Sequence, residues 1–363
     1  MEDHAVEQTI EYARYKTLFL LLAAVVLIWG VVGTLDIKNI PYTGYVLSPD
    51  RIVTIVRDGS PAALAGVRVG DTVTKIDNIP VTDFASLVAQ QRAAINSNGS
   101  VTVKRGGTEE TLTLKYGSQP LADLVANFGA VTLTGLAFLI LGLMVYLKNP
   151  TRLSIMFCSM SLLFAFVLFN NPYFASSVQR RLVLGALNFL VALLFAVILD
   201  YCLNFPRTKK IIAARPWLRQ AIYIIVGAFG VMIATIIITT PTMTAARSTL
   251  LSLAFNLIFG GYLLLSVIAV VHSYIKASPA ERSATGLNLM LFGMLIGFGP
   301  LLLSILAHTI SPHMGELPGE RFYGITLLAI PIGLALALMK LKPEPAEVPA
   351  DTTAKAKAKG AAA

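Results

Sequence analysis

Eight apolar stretches constrain this chain more than any other feature: Thr17–Leu35, Leu124–Leu147, Leu153–Asn170, Leu182–Asn204, Ala221–Thr239, Leu250–Ile275, Leu287–Leu306 and Phe322–Met339. A helix needs about 20 largely apolar residues to cross the roughly 30 Å hydrocarbon core of a bilayer. Each stretch meets that length, and only the fourth holds a carboxylate, Asp200. Across 363 residues the chain is 55% hydrophobic and 13% charged, against about 25% charged for a soluble domain. This excludes a soluble enzyme and, over most of the length, disorder. The two cysteines, Cys158 and Cys202, lie inside apolar runs and read as small hydrophobes. The expected class is an α-helical polytopic membrane protein of about eight transmembrane helices.

The net charge of +9 reads as topology and not as nucleic-acid binding, because cytoplasmic loops carry the Lys and Arg excess. With the N-terminus inside, the cytoplasmic pieces hold sixteen Lys and Arg and the short outer loops hold four, namely Arg180, Arg181, Arg247 and Arg321. Nine more fall between the first two spans, where nine carboxylates cancel them. Both termini are therefore expected inside and the segment after span one outside. The expected division is a cytoplasmic N-tail (1–16), a first transmembrane helix (17–35), a soluble extracytoplasmic domain (36–118), a seven-helix bundle (119–341) and a Pro/Ala/Lys-rich disordered cytoplasmic tail (342–363). Span one reads as a retained signal anchor. Its apolar stretch exceeds a usual signal-peptide core, and Gly33-Thr34-Leu35-Asp36 makes a poor cleavage site.

Residues 36–118 break the hydropathy pattern. Arg51–Val56 alternates like a strand, and Asp58-Gly59-Ser60-Pro61 is a turn leading into a short helix Pro61–Ala65 that Gly66 ends. Asp71–Ile76 is a second strand, and Asn78-Ile79-Pro80 a turn. Thr82 or Asp83 caps a helix through about Ala94. Val101–Lys104 and Thr111–Leu114 form a hairpin across Arg105-Gly106-Gly107. The result is a small α+β module.

The run Ser60-Pro-Ala-Ala-Leu-Ala-Gly-Val-Arg-Val-Gly-Asp-Thr-Val73, followed by Ile76-Asp77-Asn-Ile-Pro-Val81, resembles the bacterial PDZ domain signature over residues 40–118. Gly66 and Gly70 serve its turns, and Asp71 is expected to cap backbone amides. Asn78 stands where the family has Gly, and Asn tolerates a left-handed backbone next best. The resemblance implies binding of an extended peptide, often a protein C-terminus, by strand addition. Its carboxylate-holding loop maps onto Tyr42, Thr43, Gly44 and Tyr45, with polar Thr43 where an apolar residue is usual. The groove helix would present residues from Phe84, Leu87, Val88 and Gln91, although Leu87 and Val88 also read as plain core.

The bundle adds Asn204-Phe-Pro-Arg207 with a basic cluster and Trp217 after span four, and Pro331 in span eight, which ends at Lys340. Combined with the outer domain, these features resemble the sensory half of the quorum-sensing competence-type sensor histidine kinases. The residues from Lys342 onward show no phosphoacceptor His motif and no ATP-binding Gly box. The resemblance therefore implies a separate output partner. No HExxH occurs among His4, His272, His308 and His313, and no Gly-x-Ser-Gly is present, so neither protease chemistry, a metal nor a cofactor is expected.

Among polar residues in the spans, Asp200 and His272 sit at similar depths and read either as an interhelical pair or as two side chains snorkelling to the headgroups. Asn127, Asn188, Asn256 and Asn288 read as interhelical hydrogen-bond formers, and Gly293-Met-Leu-Ile-Gly297 as a close helix approach. Three functions follow. One is a sensory or receptor module of the bacterial inner membrane, binding a peptide or lipid-like ligand and acting on a partner protein. Another is a non-catalytic accessory subunit whose PDZ domain docks a partner's peptide. The last is a transporter or an enzyme of unrecognised type.

Overall fold

The computed structural model describes residues 14–48, 50–81, 95–172, 174, 176–239, 245–310, 317–320 and 323–341. The expected groove helix with Leu87, Val88 and Gln91, the tail from 342, and His4 and His313 lie outside the described residues.

A long apolar helix, α1 (Lys16–Asp36), runs into the small β domain. That domain contains β1 (Tyr45–Leu47), β2 (Val53–Val56), the one-turn helix α2 (Pro61–Ala65), β3 (Thr72–Ile76), β4 (Ile79–Pro80), β5 (Asn98–Arg105) and β6 (Thr108–Lys115). β1 and β2 form one antiparallel pair, and β4-β3-β5-β6 form a second sheet. Val53, Ala62, Val73, Val101 and Val103 are fully buried between them, with Ile76, Leu114 and Tyr116 nearly so.

Local chemistry explains these boundaries. Ser60 Oγ accepts from Ala63 N–H at 3.2 Å and Pro61 opens α2, while Gly66 at φ 89° closes it. The β3–β4 connection is the two-residue loop Asp77-Asn78, with both residues at positive φ (50° and 65°), the backbone a tight hairpin requires. Asn78 thus takes the left-handed conformation that the family's Gly would supply. The β5–β6 hairpin is longer than its sequence pattern suggests, because Asn98–Arg105 pairs in register with Thr108–Lys115 over its whole length.

After β6 a short helical lead-in, Leu121–Leu124 and a π-turn Val125–Gly129, opens the bundle. Its helices are α3 (Ala130–Lys148), α4 (Arg152–Leu168), α5 (Ser177–Asn204), α6 (Trp217–Thr239), α7 (Ala245–Lys276), α8 (Leu287–Ile310) and α9 (Ala329–Lys340). Six helices among the described residues are long and apolar enough to cross a membrane, and α4 and part of α8 are shorter apolar helices. This is a multi-pass membrane architecture carrying one small β domain. The principal packings are α5 on α6, α3 on α4, and α8 on α9.

The α8–α9 contact uses the small residues of α8. A Cβ on Gly293 would lie 2.7 Å from the Ala329 carbonyl oxygen and 3.2 Å from Gly333 Cα, so only glycine permits this approach. The last apolar stretch is broken in two. Tyr323–Thr326 is followed by a turn before α9, four residues or fewer ahead of Pro331. Proline removes one helical N–H and its ring crowds the carbonyl four residues back, here that of Leu327.

Candidate functional site: the PDZ strand edge and its loop

The loop leading into β1 is held from both sides. Tyr42 exchanges two backbone hydrogen bonds with Gly117, each 3.0 Å. The Thr43 carbonyl accepts from Ala62 N–H, and the Gly44 carbonyl from Arg57 N–H, both at 2.9 Å. Gly44 sits at φ 83°, and a Cβ there would run into Ser60 Cβ and Oγ. A bulky Gly44 substitution therefore breaks the loop itself. Among the described residues β1 pairs with β2 alone. Among the described residues its other edge carries no partner strand, which leaves backbone groups open to an added strand. Tyr45 and Leu47 pack towards the core, while Val46 is 41% exposed.

Burial raises the Tyr45 phenol well above its ordinary range, with the nearby Asp77 carboxylate adding to the effect. Its hydroxyl is buried without a hydrogen-bond partner among the described residues. Asp77 is occupied by Ser100 N–H at 2.8 Å and Tyr116 O–H at 2.7 Å. Asp71 fills its expected capping role by accepting from Arg68 N–H at 2.8 Å. It also receives Arg105 through Nε and Nη2, both at 2.7 Å, tying the turn before β3 to the β5–β6 hairpin. The Arg105 hydrogen bond is the main reason the Asp71 carboxyl is held below its ordinary range.

An unanticipated contact links this loop to the membrane bundle. The Tyr42 hydroxyl donates to Asp123 Oδ2 at 2.9 Å, and Arg57 Nη1 donates to Asp123 Oδ1 at 2.5 Å. Burial, reinforced by the carboxylate, pushes the Tyr42 phenol up to about 12. Asp123 lies on the helical lead-in to α3, so one carboxylate joins the loop, the end of β2 and the first turn of the bundle. A cavity of about 860 Å³ opens beside this clasp, lined by Tyr42, Arg57, Ser60, Leu64, Lys115 and Asp123. Thr43, Gly44 and Tyr45 do not line it. In sequence, Asp123 is an acidic residue just ahead of an apolar run, and nothing local names its partners.

Within the bundle the structure does not bring Asp200 and His272 together. Asp200, 1% exposed on α5, accepts from Arg219 Nε at 2.8 Å, Tyr223 O–H at 3.0 Å and Asn204 Nδ2 at 2.9 Å. α5 and α6 pack closely, and Arg219 and Tyr223 lie one turn apart on the same face of α6. His272 is on an exposed face of α7, where its Nδ1 lies 3.3 Å from Lys209 Nζ. Asn188 bonds the Leu184 carbonyl of its own helix instead of a neighbour. Among the described residues no group of three or more His, Cys, Asp or Glu is arranged to hold a metal.

Residues 38–116 match the PDZ domain family. They form a PDZ domain. No curated protein matches the chain. Solved structures similar to it include the HtrA-type protease AlgW with a decapeptide and a variant of that protease with a decapeptide. Each is 24% identical, with a TM-score of 0.21, over 23% of this chain and 30% of the protease chain. The chain thus spans less than a third of the protease it matches.

Proposed function

We propose that this chain is a membrane-embedded receptor or sensory module, without catalysis of its own, whose PDZ domain takes an extended peptide and which acts on a separate protein. The edge of β1 beside the Tyr42–Tyr45 loop, which has no partner strand among the described residues, carries the reading, because an open edge next to such a loop suits strand addition of a peptide. The Asp123 clasp supports the receptor form over a passive dock. The loop that would meet a peptide terminus is joined through Tyr42 to the segment that enters α3. In this reading eight spans cross a bacterial inner membrane, with both termini cytoplasmic and the PDZ domain outside, in keeping with the Lys and Arg distribution.

The test uses the full chain in nanodiscs, probed with a library of peptides having free or amidated C-termini. Saturable binding that prefers free C-termini and disappears when residues 38–116 are replaced by a flexible linker is the expected result. Binding that survives that replacement, or no binding across the library, refutes the peptide assignment. An impermeant maleimide that labels Thr353→Cys but not Ser97→Cys in intact cells refutes the topology.

A further inference from the structure

Lys209 is a half-buried cation held by His272 and Ser273. Its Nζ lies 3.3 Å from His272 Nδ1 and hydrogen-bonds Ser273 Oγ. Among the described residues it meets no carboxylate. The acids in this part of the molecule are engaged elsewhere: Glu281 meets Arg207 at 3.6 Å, and Asp200 holds Arg219, Tyr223 and Asn204. Burial alone lowers the Lys209 ammonium below its ordinary range. A cation withdrawn from water without a counter-charge is costly, and an anion drawn to it removes that cost.

The surroundings define which anion. Ser273 is buried behind Lys209, but His272 faces outward, and Lys276 follows one turn later on the same exposed side of α7. If Nδ1 accepts from the ammonium, the His272 proton sits on Nε2, an N–H donor directed away from Lys209. Directly along α7 from this polar end, Leu264, Ile268, Val271 and Ile275 are 60%, 52%, 38% and 68% exposed. Their spacing lays them on one apolar face, and His272, four residues after Ile268, lies at its side. Trp217, 59% exposed at the start of α6, marks the same end of the bundle, and indole rings favour headgroup depth. A basic donor set at the end of an exposed apolar stripe matches an anionic headgroup with acyl chains better than a soluble anion.

We propose that Lys209 and His272, assisted by Lys276, bind the phosphate of an anionic phospholipid, whose acyl chains lie along the exposed face of α7. This site is independent of the PDZ groove.

The test reconstitutes the full chain in nanodiscs of phosphatidylcholine mixed with phosphatidylglycerol, releases it, and compares the lipids retained by native mass spectrometry. Phosphatidylglycerol is expected to be retained in preference to phosphatidylcholine. Lys209→Gln should weaken that preference about fivefold, the effect of one basic group near a charged headgroup. Lys209→Arg should restore it. Lys340→Gln, which removes a basic residue from the end of α9, should leave it unchanged. Equal retention of the two lipids by the unaltered chain overturns the proposal, and so does an equal loss in Lys340→Gln, which would indicate diffuse attraction. Inorganic phosphate displacing the retained lipid at millimolar concentration would also overturn it, since the site would then favour a soluble anion. Should Lys209→Gln not fold, Lys276→Gln and the two-lipid comparison on the unaltered chain decide the matter.

Discussion

Replacing Arg219 with glutamine tests how the bundle tolerates its buried carboxylate. Asp200 is 1% exposed and Arg219 supplies its only opposite charge, at 2.8 Å, among the described residues. Breaking a buried ion pair from one side costs about 3–5 kcal/mol because the remaining charge stays buried. The Arg219 side chain is 41% exposed, so solvent screens the pair and the expectation falls to about 2 kcal/mol. Tyr223 and Asn204 continue to donate to the carboxylate, which also keeps the loss moderate. Asp200→Asn should cost less, because the freed guanidinium reaches water. In the double variant the loss should resemble that of Asp200→Asn alone, giving a coupling of about 2 kcal/mol. The assay is a double-mutant cycle on the full chain, with unfolding in mixed micelles as readout. Asp200→Asn and His272→Gln should instead add within about 0.5 kcal/mol, since the two side chains share no partner. Additivity between Asp200 and Arg219, or coupling between Asp200 and His272, would refute the assignment.

Other outcomes follow from the PDZ domain and the helix packing. Asp71 has a depressed folded-state value because Arg105 bonds it. Its contribution is therefore present above the unfolded carboxylate value, about 3.9, and is lost as pH falls through the folded value. The denaturant midpoint of the domain, read by a fluorophore at Glu109→Cys, should fall on acidification below about 4, and Asp71→Asn should flatten that dependence. Gly59→Ala meets only left-handed backbone strain, about 1–2 kcal/mol, since nothing lies within 4 Å of the new Cβ. Gly44→Ala adds a collision with Ser60 and should cost clearly more in the same assay. Gly293→Ala should separate α8 from α9 and lower the melting temperature of the full chain, whereas Gly260→Ala, whose Cβ meets nothing within 4 Å, should not. Asp123→Asn should loosen Tyr42 and Arg57 together, seen as faster amide exchange at both the β1 loop and the lead-in to α3, because one carboxylate holds both groups.

The fold was legible where the determinants are local. Apolar run length sets the helices, and Ser60, Pro61, Gly66 and Asn78 each satisfy a backbone requirement within a few residues of themselves. Sequence spacing therefore placed α2 residue by residue, but it set the β3–β4 turn at Asn78-Ile79-Pro80, whereas the structure turns at Asp77-Asn78 and pairs Ile79 and Pro80 with β3 as strand β4. The β5–β6 hairpin extends beyond its apolar core because backbone pairing continues through Glu109 and Glu110, whose side chains face water and leave no hydropathy signal. The break before α9 follows from Pro331, but its position also depends on where Leu327 and Leu328 can turn.

The polar contacts of the bundle were not legible in the same way, and the reason is geometric. Depth along the membrane normal can be read from distance to the basic flanks, and that puts Asp200 and His272 at one level. Rotation about each helix axis cannot, because α5 and α6 are apolar nearly all round and offer no polar face to orient by. Asp200 meets Arg219 and Tyr223 because α6 follows α5 through a short connection and packs along it, which turns both side chains towards the carboxylate. That arrangement leaves His272 to Lys209 on the outer side of α7. The carboxylate on α5 is thus neutralised within the α5–α6 pair, and depth along the helices alone does not identify its partner.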